Sequence, residues 1–326
     1  MPDTGGMTNL TVAVIGPESY TAELGKKGTS SDITFYNLKR GPHTVTCIEP
    51  SRYPDRLSSL FLAVSLASRA VLVVDEISAA FGECVIMLDS IGIKKGFIVL
   101  RNYLEPGQIA PLIQGTTVEA YQLIADDRMA LRELLLQEVE SLPGNGGRGK
   151  PGAVPIDHFY LVKGIGPVVL GEVVEGEIAR HDALRVWPTK KVAQVRSIQK
   201  HDDDAQSAAS GDRVGLALKG VEIEDLDRGY VLSANPSLSS SNIFSGRATL
   251  TRYWPAPLRE GMVLHAGHWM QFLASRVAFV DNSGDWRRPR LTLKAETELV
   301  FLPGARLVLH YLEGGKLRVA GTMVLE

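Results

Sequence analysis

The chain has 326 residues, of which 44% are hydrophobic and 22% charged, with a formal net charge of -2. That is the mix of a soluble globular protein long enough for two or three compact units. The near-neutral balance excludes a global electrostatic pull toward nucleic acid, so any RNA contact has to come from local basic patches. No run approaches the ~20 apolar residues of a membrane span. The opening "MPDTGGMTNL" lacks a signal-peptide pattern, and Cys47 and Cys84 both sit in apolar segments. These features point to a reduced, cytoplasmic protein without a disulfide framework or a membrane partner.

In chain order, "LTVAVIG" (residues 10–16) reads as a buried strand running into a loop and a short helix. "ITFYNLK" and "HTVTCIE" alternate apolar and polar residues like paired strands. "AVLVVD" (70–75) and "GFIVL" (96–100) are short continuous apolar runs, the mark of parallel strands buried on both faces. "SAAFGECVIMLDSIG" has helical spacing. A last helix runs through "DDRMALRELLLQEVE", with Asp126 and Asp127 near its N-terminus, where the helix dipole favours acids. Strands alternating with helices imply a mostly parallel α/β sheet.

The composition then changes. "LPGNGGRGKPG" (142–152) is a glycine- and proline-rich linker. Beyond it lie short β-type runs, and "SANPSLSSSN" (233–242) divides them into two units. The predicted plan is an α/β unit over 8–141, a linker over 142–153, and two all-β barrels over 154–236 and 237–326.

The second unit carries the most specific pattern. "VKGIGPVVLGEVVEGEIARHDAL" (162–184) spaces Gly164, Gly166, Gly171 and Gly176 so that strands can turn sharply and approach closely. "VRSIQKHDDD" and "GDRVGLALKGVEIEDLDRGYVL" (211–232) follow. In order and spacing these segments resemble the second domain of EF-Tu-like translation elongation factors, with His181 standing where the family usually places a glycine. "LREGMVLHAGHWMQFLASRV" (258–277) is similar to the start of the family's third domain. His265 and His268 lie three apart there, which in a strand turns them to opposite faces, and no metal is assigned.

The resemblance extends to the first unit and implies a G-domain-like α/β domain of the P-loop NTPase fold. There the departures matter most. A P-loop needs G-x-x-x-x-G-K-[ST] after a strand, so that backbone N–H groups, a lysine and a hydroxyl can hold phosphates and magnesium. Counted from Gly16, the second glycine, the lysine and the hydroxyl fall on Thr21, Ala22 and Glu23. Pro17 has no N–H to give, and Glu18 and Glu23 would repel a triphosphate.

A displaced "GKKGT" (25–29) offers Lys26 and Thr29. It reads either as a helix C-terminus, with Gly25 as cap and Lys26 and Lys27 at the negative end, or as a holder of an RNA or nucleotide phosphate. At the spacing of the family's "DTPGH" the chain reads "EPSRY" (49–53), so Glu49 keeps a carboxylate while Arg52 and Tyr53 replace the glycine and the histidine. Tyr53 cannot reproduce imidazole acid–base behaviour near neutral pH. Where "NKxD" should read guanine, the chain has "RNYL" (101–104).

Framework residues such as "IGIKKGFIVL" (91–100) survive where the chemistry does not. The kinship is to the archaeal elongation-factor type, including the selenocysteine-specific branch. "LGKKGTSSDITFYN" resembles an EF-Tu-like protein of methanogens. Gly16, Lys26, Thr29 and Glu49 remain as the nucleotide remnant; GTP and magnesium are what ancestry implies, on degraded motifs.

By resemblance, tRNA or the ribosome is the partner, and the "VRSIQKHD" strand and "GDRVG" turn are where an acceptor end would lie. This nominates Arg196, Gln199, Lys200, His201 and Arg213, since arginine pairs with phosphate and histidine stacks on bases. The family carries a Glu and an Arg where this chain has Arg196 and Gln199. "DNSGDWRRPR" (281–290) sets Arg287, Arg288 and Arg290 beside Trp286, a second phosphate-and-stacking candidate. The expected function is an elongation-factor-like role in protein synthesis with GTP binding and hydrolysis weakened or lost. The alternatives are an active GTP-binding factor with rearranged loops and a scaffold that binds a protein partner.

Overall fold

The structure is a computed structural model that describes residues 8–142, 149–315 and 317–326; the core of the expected linker, residues 143–148, lies outside them. The first unit runs β1 (Thr8–Ile15), β2 (Lys26–Ser30), β3 (Thr34–Arg40), β4 (His43–Glu49), α1 (Leu57–Ser65), β5 (Arg69–Val74), α2 (Ala79–Ile91), β6 (Gly96–Leu100), α3 (Pro106–Ile113), β7 (Gln122–Ile124) and α4 (Arg128–Glu140). Its sheet has the order β2-β3-β4-β1-β5-β6-β7. β4, β1, β5, β6 and β7 are parallel, whereas at one edge β3 pairs antiparallel with β4 and β2 antiparallel with β3.

The alternation along β1 explains the layering. Ala13 and Ile15 join the core under α1 and α2, while Leu10, Val12 and Val14 join the core under α4. Ser78 caps α2 by accepting the Phe81 amide, and Asp127 caps α4 by accepting from Met129 and Ala130. Both strand pairs and both of these helices match the sequence expectation. α1 and α3 were not anticipated: α1 is only nine residues long and buried along most of its length, and α3 contains Pro111.

The second unit contains β8 (Ala153–Val162), β9 (Gly166–Glu172), β10 (Glu177–Ala179), β11 (Ala183–Trp187), β12 (Val192–Lys200), β13 (Asp203–Ala205), β14 (Ser207–Ala209), β15 (Arg213–Lys219) and β16 (Val231–Ser233). The run β11-β16-β8-β9-β15-β12 closes on itself through β11–β12. Gly171 marks a close crossing, since a Cβ there would lie 2.4 Å from the Pro155 carbonyl oxygen. The third unit, β17 (Ser239–Leu250), β18 (Val263–His268), β19 (Gln271–Asp281), β20 (Arg290–Phe301), β21 (Arg306–His310) and β22 (Val319–Leu325), forms a closed barrel of order β17-β20-β19-β18-β21-β22.

The three units pack against one another. Met270, Val308 and Val319 of the last barrel belong to the apolar cluster under α1 and α2. Phe61 of α1 packs its ring against Phe272 and His310, with centroids 5.7 and 5.1 Å away. Arg318 clasps Glu83 of α2 at 2.6 Å and donates to the Pro54 carbonyl.

The first barrel docks by polar contacts instead. Thr11 donates to Glu172 at 2.5 Å, Asn9 donates to the Gly211 carbonyl at 3.1 Å, and Arg228 pairs with Asp32 at 2.6 Å. Among the described residues no helix is long and apolar enough to cross a membrane.

Candidate functional site

In an open α/β sheet, ligands bind beyond the carboxyl ends of the parallel strands. Here that edge is occupied by the chain itself. After β1 the backbone passes Gly16, where a Cβ would lie 2.7 Å from that of Val73, and makes a single 3-10 turn over Tyr20–Glu23. The backbone N–H and hydroxyl of buried Thr21 both donate to Glu49 Oε1, at 3.0 and 2.9 Å.

Glu49 is itself only 6% exposed. The one acidic remnant of the magnesium motif is thus spent on the turn that replaced the phosphate loop. Neither a phosphate cradle nor a free carboxylate for magnesium remains there, so the residues present do not fit a magnesium triphosphate. Among the described residues no cluster of His, Cys, Asp or Glu is disposed to hold a metal ion.

The base-reading edge is bridged in the same way. Arg101 lies 3.1 Å from Asp75 and 3.1 Å from Asp126. Asp126 accepts from the Tyr20 hydroxyl at 3.0 Å, and Arg128 covers the Tyr20 ring at 4.7 Å while pairing with Glu23 at 3.2 Å. Burial, then the Asp126 hydrogen bond, pushes the Tyr20 phenol well above its ordinary range, which keeps it a neutral donor. Tyr53 turns its hydroxyl to the Ala80 carbonyl at 2.9 Å rather than toward this edge.

The four remnant residues therefore separate. Gly16 and Glu49 stay at the filled edge, whereas Lys26 and Thr29 lie on β2 in a different place. The helix-end reading of "GKKGT" is corrected: Leu24, not Gly25, follows the 3-10 turn in right-handed geometry, and Lys26 and Lys27 open a strand that pairs with Asn37 and Tyr36.

β2 is the outer strand of the sheet, and between it and the first barrel opens a cleft of about 650 Å³. Lys26, Lys27 and Thr29 line one wall, and Gln199, His201 and Arg213 line the other. Remnants of two sequence motifs far apart in the chain thus meet across one cavity.

The charges in the cleft are individually set. Arg213 grips fully buried Asp157 through both amino groups, at 2.5 and 3.0 Å, and lies 3.8 Å over the Phe35 ring. Burial pushes the Asp157 carboxyl up, but the Arg213 charge and the hydrogen bonds from His158 and Arg213 outweigh it and hold it at about 2. His201 sits at the turn after β12 with Nε2 3.1 Å from Asn9 Oδ1, and burial, aided by Arg213 and Lys39, pushes its imidazole down to about 4. It is neutral at pH 7. Lys39 is paired with Asp203.

The other nominated residues do not line this cleft. Arg196 donates to the Ile165 carbonyl at 3.1 Å, and Lys200 is 2.7 Å from Asp212. On the last barrel Arg287 lies 4.3 Å over the Trp286 ring and donates to the Thr251 and Trp254 carbonyls, which brings residues 251–254 beside this loop. Arg290 pairs with Glu326 at 2.5 Å, and Arg288 is largely exposed.

Sequence reasoning missed Asn9, Thr11, Phe35, Asp157, Tyr160 and Glu172. Asn9 and Thr11 left a signal, because polar residues in a buried, mostly apolar strand need partners.

The comparisons with known proteins agree with this architecture. The family profile described as Elongation factor Tu domain 2 matches residues 166–233. An uncharacterized protein of Methanocaldococcus jannaschii is 41% identical over 228 residues, covering 70% of this chain and 73% of that protein. The selenocysteine-specific elongation factor of the same organism is 27% identical over 266 residues, covering 74% of this chain and 56% of that factor, so the chain spans little more than half of its length. The apo crystal structure of translation elongation factor SelB from Methanococcus maripaludis superposes with a TM-score of 0.82 at 20% identity, covering 98% of this chain and 80% of SelB. The fold is thus a G domain followed by two β-barrels, and the chain belongs to the EF-Tu-like elongation factor family of the archaeal type.

Proposed function

We propose that this protein acts in protein synthesis by holding the acceptor end of a tRNA in the cleft between β2 and the first barrel, and that it does so without a guanine nucleotide. The observation that carries the reading is the convergence of Lys26, Lys27, Gln199, His201 and Arg213 on one cavity, while the strand ends that would hold a nucleotide are bridged by Thr21–Glu49 and Asp75–Arg101–Asp126. The relatives include factors whose names place them in selenocysteine-specific elongation, which supports tRNA and the ribosome as the class of partner. The basic face around Trp286 and Arg288 supplies a second contact for the RNA stem, and the cytoplasm is where such a partner is met.

Retention of tRNA on a filter, measured across a salt series, tests the RNA half. Binding is expected at low salt with a steep loss as salt rises, because each phosphate contact releases counterions. No retention at any salt sinks the reading.

The nucleotide half is tested by thermal unfolding with GTP and magnesium. A site with a 10 μM dissociation constant would add about 2.7 kcal/mol at 1 mM ligand, a shift of several degrees. The expected shift is zero, and a fluorescent guanine nucleotide is expected to show no saturable binding. Saturable binding, or magnesium-dependent hydrolysis above background, would overturn it.

A further inference from the structure

The "GKKGT" segment is neither a phosphate loop nor a helix end, and its place in the fold gives it a different use. We propose that the β2 bulge carrying Lys26, Lys27, Gly28 and Thr29 is a phosphate seat for the ribose–phosphate backbone of the RNA end that enters the cleft. The proposal rests on the RNA reading above and names the group that does the holding.

The first support is the charge arrangement. Four cations line the cavity, and two are neutralised by the fold: Lys39 by Asp203 and Arg213 by Asp157. Lys26 and Lys27 have no carboxylate partner among the described residues, and Asp202 is the acid on the cavity wall. Lysines on an edge strand commonly serve only to keep the edge from pairing with another chain, and they do so in open solvent. These two border a walled cavity instead, where an anion would meet two ammonium groups that no carboxylate already holds.

The second support is the backbone. The pairing of β2 with β3 shifts register between Lys27 and Ser30, which leaves Gly28 and Thr29 outside the regular ladder. A bulge of this kind takes its residues out of the regular pairing and brings Gly28 and the Thr29 hydroxyl to the cavity beside the lysines. Ammonium groups and a hydroxyl are donors that phosphate takes.

The third support is the opposite wall. Half-exposed Tyr160 offers an aromatic face of the kind on which an unpaired base stacks, and exposed Ile165 extends the apolar surface beside it. A phosphate seat facing stacking surfaces suits a single-stranded nucleotide end better than an acidic peptide.

The test uses the full chain with Lys26→Glu and Lys27→Glu combined, two exposed side chains whose change leaves the core untouched. For tRNA, affinity is expected to fall at least tenfold, and the salt slope to become shallower by about 1.4, since each lost single-strand contact removes about 0.7. With a tRNA trimmed of its unpaired 3′ nucleotides, wild type and variant are expected to bind alike. Inorganic pyrophosphate gives an RNA-free readout: it should raise the melting temperature of the wild type and not that of the variant.

An unchanged affinity and slope for intact tRNA overturns the seat while the RNA reading stands. If the wild type ignores tRNA but pyrophosphate protects it through Lys26 and Lys27, the seat stands and the RNA reading falls. Protection of neither form by pyrophosphate, with no tRNA retained, overturns both.

Discussion

Arg213→Ala is expected to destabilise the protein by about 3–5 kcal/mol, the cost of leaving a buried charge without its partner. Asp157 is fully buried, and Arg213 meets it with both amino groups while His158 Nδ1 lies 2.7 Å from the same carboxyl. Removing the guanidinium strands that carboxyl in the barrel wall. It also removes the cation lying over Phe35, worth about 1 kcal/mol where the first unit meets the barrel. Arg213→Lys keeps the charge but not the two-pronged fit, so an intermediate loss is expected.

The acid dependence identifies the cause. A carboxyl held at about 2 in the fold stabilises above its unfolded value of 3.8 and loses that contribution as the pH falls toward 2. In Arg213→Ala only His158 still holds it down, against the full cost of burial, so the deficit measured by chemical denaturation at pH 7 should narrow below pH 4. A deficit that is small at pH 7, or that is the same at pH 3.5, would show that Asp157 is compensated in some other way.

The opposing wall of the cleft, the filled nucleotide edge and the interdomain seam differ in how far the sequence revealed them. The barrels were legible because their glycines and alternation are local: Gly171 marks a close crossing in any chain that folds this way. Loss of the phosphate loop was legible by counting from Gly16. What replaced it was not, because the Thr21–Glu49 pair spans 28 positions and depends on the 3-10 turn that follows Ser19, a residue with positive φ.

The fate of "GKKGT" was misread for a physical reason. Lysines after a glycine suit a helix end, yet edge pairing with Asn37 and Tyr36 holds them as a strand. Tertiary pairing overrode the local signal. The RNA candidates divided along the same line: Gln199, His201 and Arg213 face the cleft, while Lys200, between two of them, is turned to Asp212 by the alternation of β12. A linear motif nominates neighbours, and the strand's two faces then separate them.

That alternation also puts Glu172, the last residue of β9, into the seam against β1, and its titration should set the alkaline limit of stability. Burial pushes the Glu172 carboxyl up to about 8, against which the Thr11 hydrogen bond works only in part. A carboxyl raised in the fold favours the protonated form, so its penalty is absent below the unfolded value of 4.5 and grows as the pH climbs to about 8.

The histidines act with the opposite sign. Burial lowers His201 and His268 to about 4 and His310 to about 3, so their cost is absent above 6.5 and rises as the pH falls below it. The window from 6.5 to 8 therefore isolates Glu172. Across it the unfolding free energy of the wild type should fall by about 2 kcal/mol, at about 1.4 kcal/mol per pH unit. Glu172→Gln keeps an acceptor for Thr11 and cannot ionise, so it should abolish that decline and leave the acid limb, where the histidines dominate, in place. Denaturation series at pH 5.5, 6.5 and 8 on both proteins decide it. A wild-type profile flat from 6.5 to 8, or a variant that declines equally, would place the ionised carboxylate in the seam at neutral pH and turn the Thr11 contact into a charge-assisted hydrogen bond.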